Sequence, residues 1–583
     1  HTRGNDWSVA EDIRKSWAAE VTERTPLTAA DLLDGAVDVA WFHRIYEHLG
    51  ADAWNQIDAA AKYASSGAGH ARARIFADAM LSRVTAAELT QRITEKRNQD
   101  SARALGLVPL PENGDARRAE VLARYATLQE FLRTSKKFGS QRQASEKRAV
   151  AIGMDNLART AGYADPVRLQ WAMERLLVAD LAQGPVCVSE GDVMVKLFVD
   201  ALGVPDILIE KNGKPLKSVP TSLKSHVGIK ELASRKADLK RQVSRMRKSL
   251  ESAMCRGDQF QGAELVELSG HPMLAPMLRN LVFLGDGMMG YPIENGRALR
   301  TEDGSIHAVG STDSLRLAHP HDLFHTQRWD VWQRDCFAGE RVQPFKQVFR
   351  ELYVLTDAER ADKTISRRYA GHQVHPRQAL AVLGGCGWVA HSEEGVRRTF
   401  HDEGVSAWLE AMFPFYSPAE VEGVTIEGVH FSKAHDWKSL KLEDIPPRVF
   451  SEVMRDIDLV VSVAHRSGVD PEASASTVEM RAALLKETLQ VLGIRNVRID
   501  GRRAFVDGAL GAYSVHLGSA VTHIMPGGML FIVPIGAQHR GRLFLPFADD
   551  DPKSAEVMSK VILLARDNDI KDPSILAQIR STQ

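Results

Sequence analysis

The stretch Gly228–Met254, GIKELASRKADLKRQVSRMRKSLESAM, divides this chain into two kinds of sequence. Ile229, Val243 and Leu250 fall on one heptad row and Leu232, Leu239 and Met246 on the other, and Lys236 interrupts the seam. An apolar stripe of this period predicts one long helix packed lengthwise on another helix. The stretch is also basic. Between Lys211 and Arg256 stand thirteen Lys or Arg residues against three acids, Glu231, Asp238 and Glu251. Such a face suits nucleic acid, with Lys240, Arg241, Arg247 and Lys248 as contacts. No aromatic residue interleaves the cations, as base stacking would require, so a solvated basic face is the simpler reading.

Upstream, residues 1–185 read as helix upon helix. Tyr125, Leu128 and Leu132 keep the helical period, as do Leu169, Met173 and Leu176, and Asp165-Pro166 supplies a cap followed by proline in the first turn. No repeat of 20 to 50 residues is present, so a regular solenoid is not expected. Gly213, Pro215 and Pro220 read as a polar linker after Ile209, giving a second region, 186–304, of linker, basic helix and following helices.

Beyond about Ser305 the pattern turns to short apolar runs: Leu315–Ala318, Phe349–Leu355, Val424–Phe431, Leu459–Val463 and Tyr513–Leu517. Helices are expected over Val478–Leu492 and after Asp551-Pro552. The fold class is therefore multidomain, α and α+β: a helical N-terminal array, then mixed α+β domains at 305–450 and 451–583.

Composition sets wide bounds. The 583 residues are 44% hydrophobic and 26% charged with a net charge of −1, the values of a folded globular chain with no global field toward a polyanion. Cys187, Cys255, Cys336 and Cys386 lie far apart in sequence, which suits reduced thiols and a cytoplasmic location. No apolar run is long enough to span a membrane, so no membrane partner is expected. The chain opens on His1 rather than a methionine, so it reads as a fragment or a processed form, and whether another domain precedes it is left open by the sequence.

Four groups of residues carry candidate chemistry. Gly285-Asp286-Gly287-Met288-Met289-Gly290 spells GxGxxG, but Tyr291-Pro292 and Gly296 predict a loop where a dinucleotide site needs a helix, so a glycine-rich turn is expected. His319, His321 and His325 form a metal-like cluster, the first two on one strand face, although Pro320 argues against a central strand. Arg367, Arg368, His372 and Arg377 surround a turn before an apolar helix, a place for a phosphate or carboxylate. The competing reading pairs these arginines with nearby acids and has His372 cap the helix.

The fourth group, Glu452, Arg455 and Asp456, follows Pro446-Pro447 on a predicted helix. Glu452 and Asp456 share a face there and Arg455 meets Glu452. These carboxylates and His372 are the candidates for acid/base catalysis, and Arg455 joins Arg367, Arg368 and Arg377 as a ligand-binding candidate. A buried polar network is the blander reading. GxSxG, HExxH and the Walker A loop are absent, no motif indicates a cofactor, and the sequence leaves open whether the chain is an enzyme.

Longer words accompany these groups: Lys137-Phe138-Gly139 with Gln141 to Lys147, Gln343-Pro344-Phe345-Lys346-Gln347, Gly371-His372, Ser451-Glu452 with Arg455-Asp456, and His516-Leu517-Gly518-Ser519. Together they resemble bacterial proteins carrying the domain of unknown function 4132, a group that includes proteins labelled molybdate metabolism regulator. The named domain corresponds to roughly His319 through Asp456. The resemblance implies a regulatory or interaction protein of a stress or conflict system. It also implies protein partners such as an AAA+ ATPase or a von Willebrand A protein, and it carries over no catalytic residue. Two readings stand beside it: an undescribed enzyme or sensor of an anionic small molecule or nucleotide, and a nucleic-acid-associated protein using residues 211–256.

Overall fold

The structure, a computed structural model, describes residues 25, 27, 35–64, 69–163, 165–391, 395–400, 403–413, 423–434, 438–465, 473–526, 528–532, 544–549 and 551–582. The chain divides into two compact units, His1–Asp180 and Leu181–Gln583.

The first unit is helical throughout its described residues. Its helices are α1 (Val39–Ala64, bent at Gly50), α2 (Gly69–Met80), α3 (Ala86–Lys96), α4 (Gln99–Ala104), α5 (Gly114–Ser135), α6 (Ser140–Ala161) and α7 (Pro166–Leu177). The predicted cap at Asp165 is in place, and a further one stands at Thr85. Asp165 accepts from the N–H groups of Val167 and Arg168 to start α7, and Thr85 and Glu88 form a reciprocal capping box on α3. Tyr125, Leu128, Leu169 and Met173 are buried in one core with Leu89, Leu105 and Leu157. Where α4 runs on into Leu105–Leu107 it meets α6 at backbone distance. A Cβ on Gly106 would lie 2.4 Å from the Leu157 nitrogen, and one on Gly153 would lie 2.4 Å from the Ala102 oxygen. Asn156 then ties this junction, accepting from Val37 N–H and donating to the carbonyls of Gly35 and Arg103, each at 3.1 Å.

The second unit carries antiparallel sheets between helices. A meander of β1 (Val186–Glu190), β2 (Val193–Val199), β3 (Pro205–Lys211) and β4 (Lys214–Leu216) comes first, in that order. Here the structure corrects the linker reading. Asn212 and Gly213 take φ values of 50° and 74°, the left-handed pair of a tight hairpin, and Pro215 lies on an edge strand where no ladder N–H is needed.

Helix α8 (Val227–Arg256) follows, close to the predicted span. Its heptad positions are buried, but what covers them is not one helix. The helix packs on β2 and β3, then on β10 (Ser314–Leu317), the short helix Leu274–Leu278 and a later helix, Pro447–Ala464. A heptad stripe records that a long face is buried, not which element buries it. Lys236, the break in the seam, pairs with Asp206 of β3.

A six-stranded sheet, in the order β5 (Gln259–Gln261), β10, β6 (Phe283–Gly285), β7 (Met288–Ile293), β8 (Ala298–Arg300) and β9 (Ile306–Ala308), contains the GxGxxG stretch as the hairpin of β6 and β7. Tyr291 and Pro292 continue β7 rather than forming a loop. Each glycine has a structural cause: Gly287 turns the hairpin at φ 71°, and a Cβ on Gly285 or Gly290 would meet Leu315 or the Arg300 carbonyl at 2.6 and 2.5 Å. The chain then enters α9 (Pro320–His325) and α10 (Trp329–Ala338).

Next come α11 (Pro376–Gly385), a sheet in the order β11 (Ile365–Ser366), β17 (Gly428–Lys433), β15 (Val405–Glu410), β14 (Gly395–Phe400) and β13 (Val389–His391), and a two-stranded pair of β12 (Gln373–Val374) and β16 (Val424–Thr425). Helix α12 (Pro447–Ala464) packs against this layer, and Val449, Val453, Ile457, Val460 and Ala464 enter its core. Leu459–Val463, expected as a strand, forms the last turns of α12, since the helical period set from Val449 outweighs the local β-branched run. Phe349–Leu355 joins no sheet, and its Tyr353 N–H donates to the Ser451 hydroxyl instead of a ladder.

The unit ends with α13 (Ala475–Val491), the meander β18 to β22 (Val497–Leu530), α14 (Pro552–Ala565) and α15 (Pro573–Thr582), with the two helices predicted for this region in place. No described helix is long and apolar enough to cross a membrane.

Candidate functional site

Helix α12 is buried on almost every side, so its polar residues must be satisfied by protein groups. Glu452, 1% exposed, lies at the centre. Its Oε1 accepts from Arg350 Nε at 2.8 Å and faces His319 Nε2 at 3.0 Å, and its Oε2 accepts from Arg350 Nη2 at 2.6 Å and from the Cys255 thiol at 3.1 Å. Arg350 also reaches Glu251 of α8 at 2.7 Å, so every guanidinium nitrogen is used. Burial alone would raise the Glu452 pKa, but Arg350 and His319 hold the carboxyl well below its ordinary value.

His319 caps α9, and its Nδ1 accepts from His321 N–H at 3.2 Å. That leaves Nε2 to carry the proton donated to Glu452, which is the neutral ring. Burial accordingly pushes the His319 pKa down, against the pull of Glu452. The same burial holds the Cys255 thiol well above its usual pKa.

One turn further along α12, Asp456 repeats the arrangement. Its Oδ2 accepts from Arg398 of β14 at 2.6 Å and from Trp388 Nε1 at 2.7 Å. Burial raises its pKa despite Arg398, and burial next to Asp456 pushes the Cys386 thiol up to about 12. Between the two carboxylates, Arg455 bonds Glu351 through Nε at 3.3 Å. Burial and Arg350 oppose its charge, but Glu351, Glu452 and Glu251 keep its pKa raised. Its two terminal nitrogens make no bond among the described residues.

Arg350, Glu452, Arg455, Asp456 and the two thiols, with Glu403, line one cavity of about 750 Å³, within the range of small-molecule sites. Lys248, Glu251, Ser252, Cys255 and Arg256 of α8 form one wall. Gly384 to Gly387 at the end of α11, Arg398 to Phe400 of β14, and Glu452, Arg455, Asp456 and Leu459 of α12 form the others. Lys248 Nζ donates to the Gly385 carbonyl at 3.3 Å, where a cation suits a helix C-terminus. A Cβ on Gly384 or Gly385 would meet nothing within 4 Å, so these glycines leave space in the wall.

The structure separates the residues singled out from sequence. Glu452, Arg455, Asp456 and Lys248 come together in the cavity, but Arg455 pairs with Glu351 rather than with Glu452. Arg367, Arg368, His372 and Arg377 lie outside it. Arg368 is spent on Glu359, at 2.5 and 3.2 Å, and on the Val354 carbonyl, and exposed Arg367 stands 3.7 Å from Asp362. Arg377 is exposed in the first turn of α11, whose cap position is held by His375 rather than His372.

His319 and His321 sit at a helix start instead of on a strand, and they diverge. His319 turns to Glu452, and His321 meets His325 with ring nitrogens 2.8 Å apart. Among the described residues, no group of three or more His, Cys, Asp or Glu is placed to hold a metal. Lys240 and Arg241 are exposed on α8, and Arg241 pairs with Asp238; Arg247 is half-buried.

Sequence reasoning missed Arg350, Arg398, Cys255 and Cys386, which approach α12 from four separate segments. The one local signal was Gly384-Gly385-Cys386-Gly387, three glycines at a helix end where one would stop the helix.

The fold is therefore a helical unit followed by an α+β unit whose buried ion pairs surround a polar cavity. Three family models match parts of it. One described as a domain of unknown function, DUF4132, matches residues 213–388, a family of unknown function, DUF5724, matches 9–173, and a domain of unknown function, DUF7737, matches 478–579. The DUF4132 match starts before α8 and ends at Trp388, so it overlaps the expected His319–Asp456 stretch over residues 319–388, begins well before it and leaves out α12. No curated protein and no solved structure matches the chain.

Proposed function

We propose that this chain is a regulatory protein that binds an anionic small molecule in the cavity beside α12. Arg455 carries the reading. It is a cation held in its charged form among buried ion pairs, and its two terminal nitrogens, which make no bond among the described residues, can form a forked pair of bonds to a phosphate or carboxylate. Lys248, bonded to one carbonyl, supplies a second positive charge at the wall.

The site is better suited to binding than to reaction. Both thiols are neutral at pH 7 and so are poor nucleophiles, Glu452 is occupied on both oxygens, and Asp456 holds Trp388 and Arg398 on one oxygen. A cytoplasmic place rests on the dispersed cysteines, and a bacterial stress or conflict system and an AAA+ ATPase or von Willebrand A partner rest on the family resemblance alone.

Calorimetric titration with inorganic phosphate and with adenosine 5′-monophosphate tests the proposal. We expect binding of at least one, weakened about tenfold or more by Arg455→Gln, which is about 1.4 kcal/mol. Failure of both probes to bind the intact protein, or equal affinity in a folded Arg455→Gln variant, overturns it.

A further inference from the structure

Helix α8 has two faces that the heptad reading merges. At 100° per residue, the buried Ile229, Leu232, Leu239, Val243, Met246 and Leu250 point to one side, and Lys230, Arg241, Arg245 and Lys248 point to the other. All four cations are exposed. Two exposed acids of the same helix, Glu231 and Asp238, flank this face, and Asp238 pairs with Arg241. From Lys230 to Lys248 the stripe is about 27 Å long at 1.5 Å per residue. It ends in the cavity, because Lys248 belongs both to the stripe and to the wall, and Ser252 and Arg256 continue the same face inside. A line of positive charge that leads into a polar pocket draws an anion along its length, not only at its end.

We propose that the anion taken by the cavity is the phosphate-bearing end of a single-stranded nucleic acid whose backbone follows α8. This rests on the anion reading of the cavity. Charge complementarity names the strand, since Arg241, Arg245 and Lys248 follow one another at about 6 and 4.5 Å along the helix axis, as contacts to successive phosphates require, and Lys230 stands about 16 Å further along the same face. The absence of aromatic residues on that face makes the contact one with backbone, not bases. The end nucleotide differs. Phe400 and Leu459, with the open glycine turn at 384 and 385, give its base an apolar wall, and Arg455 and Lys248 take its phosphate.

The full chain is titrated, by fluorescence anisotropy, with a short labelled single strand carrying a terminal phosphate at either end, with the unphosphorylated strand, and with inorganic polyphosphate. Adenosine 5′-monophosphate, measured by calorimetry, is the reference. We expect one phosphorylated strand to bind about tenfold or more tightly than the mononucleotide. Its affinity should fall with salt at a log–log slope of roughly −0.7 per phosphate contacted, near −3 for four contacts. The double variant Lys230→Glu with Arg241→Glu should remove that gain and leave mononucleotide binding unchanged.

A strand that binds no better than the mononucleotide overturns the inference and leaves the anion site standing. Equal binding with and without the terminal phosphate overturns the placement of the end. Polyphosphate binding as tightly as the strand, with the same loss in the double variant, overturns nucleic acid in favour of a bare phosphate chain. No binding of mononucleotide or phosphate removes the anion site, and the placement of the strand with it.

Discussion

Arg350 shows what a single residue does here. It is 2% exposed, it is bonded to Glu452, Glu251 and Cys255, and it brings α8, α12 and the irregular segment before Tyr353 to one point. Replacing it by Met leaves the Glu452 carboxylate buried with His319 and the Cys255 thiol as partners. Removing one member of a buried pair costs about 3–5 kcal/mol, far more than a surface ion pair contributes. Urea unfolding of Arg350→Met should show that loss, and the double variant Arg350→Met with Glu452→Gln should recover part of it. A single variant within about 0.5 kcal/mol of the parent, the usual range for a surface change, would refute the central role of the pair.

At the scale of elements, packing decides which sequence signals hold. The caps at Thr85, Asp165 and Asp551 start helices because each acts within its own turn. The linker at Gly213 and the strand at Leu459–Val463 failed as readings because their outcome depends on neighbours: β3 pairs across the first, and the second continues a helix set from Val449. Gly153 of α6 gives an element-scale prediction. A methyl there would sit 2.4 Å from the Ala102 carbonyl, so the gain in helix propensity cannot be realised without moving α4. Gly153→Ala should therefore destabilise the first unit by about 1–3 kcal/mol, in line with overpacking. Thermal unfolding followed by circular dichroism checks it, and a raised melting temperature would show that the approach of α4 to α6 is looser.

For the molecule as a whole, the buried charges set the response to pH. His319, Glu452 and Glu351 all have folded pKa values below their unfolded ones, that of Glu351 being about 2. A depressed folded pKa gives stability that is complete above the unfolded value and is lost as pH falls through the folded one. The loss begins near pH 6.5, where an unfolded histidine takes up a proton that buried His319 resists, and it continues below about pH 4.5 through the glutamates. Asp456, whose pKa is raised, works the other way and offsets part of the acid limb. Stability by urea unfolding should fall between pH 7 and pH 5, and His319→Gln should flatten that limb in part, since burial and the neighbouring His325 also push the His321 pKa down, to about 4. A parent profile already flat over this range would mean that His319 is not held neutral.

The long basic helix, the capped helices of the first unit and the mixed α+β character of the rest were determined by the sequence itself. Periodicity, caps and turn residues act over a few positions along the chain. Glu452, Arg455 and Asp456 were legible as a group for the same reason, since one helix carries all three. Tertiary structure alone decided that Arg350, Arg398, Cys255 and Cys386 meet them around a cavity, and that Arg368 and His372 do not. The partners of a buried charge are chosen by which segments the core brings within about 3 Å, across 197 residues for Cys255 and Glu452 and 205 for Lys346 and Asp551. No local pattern records that choice.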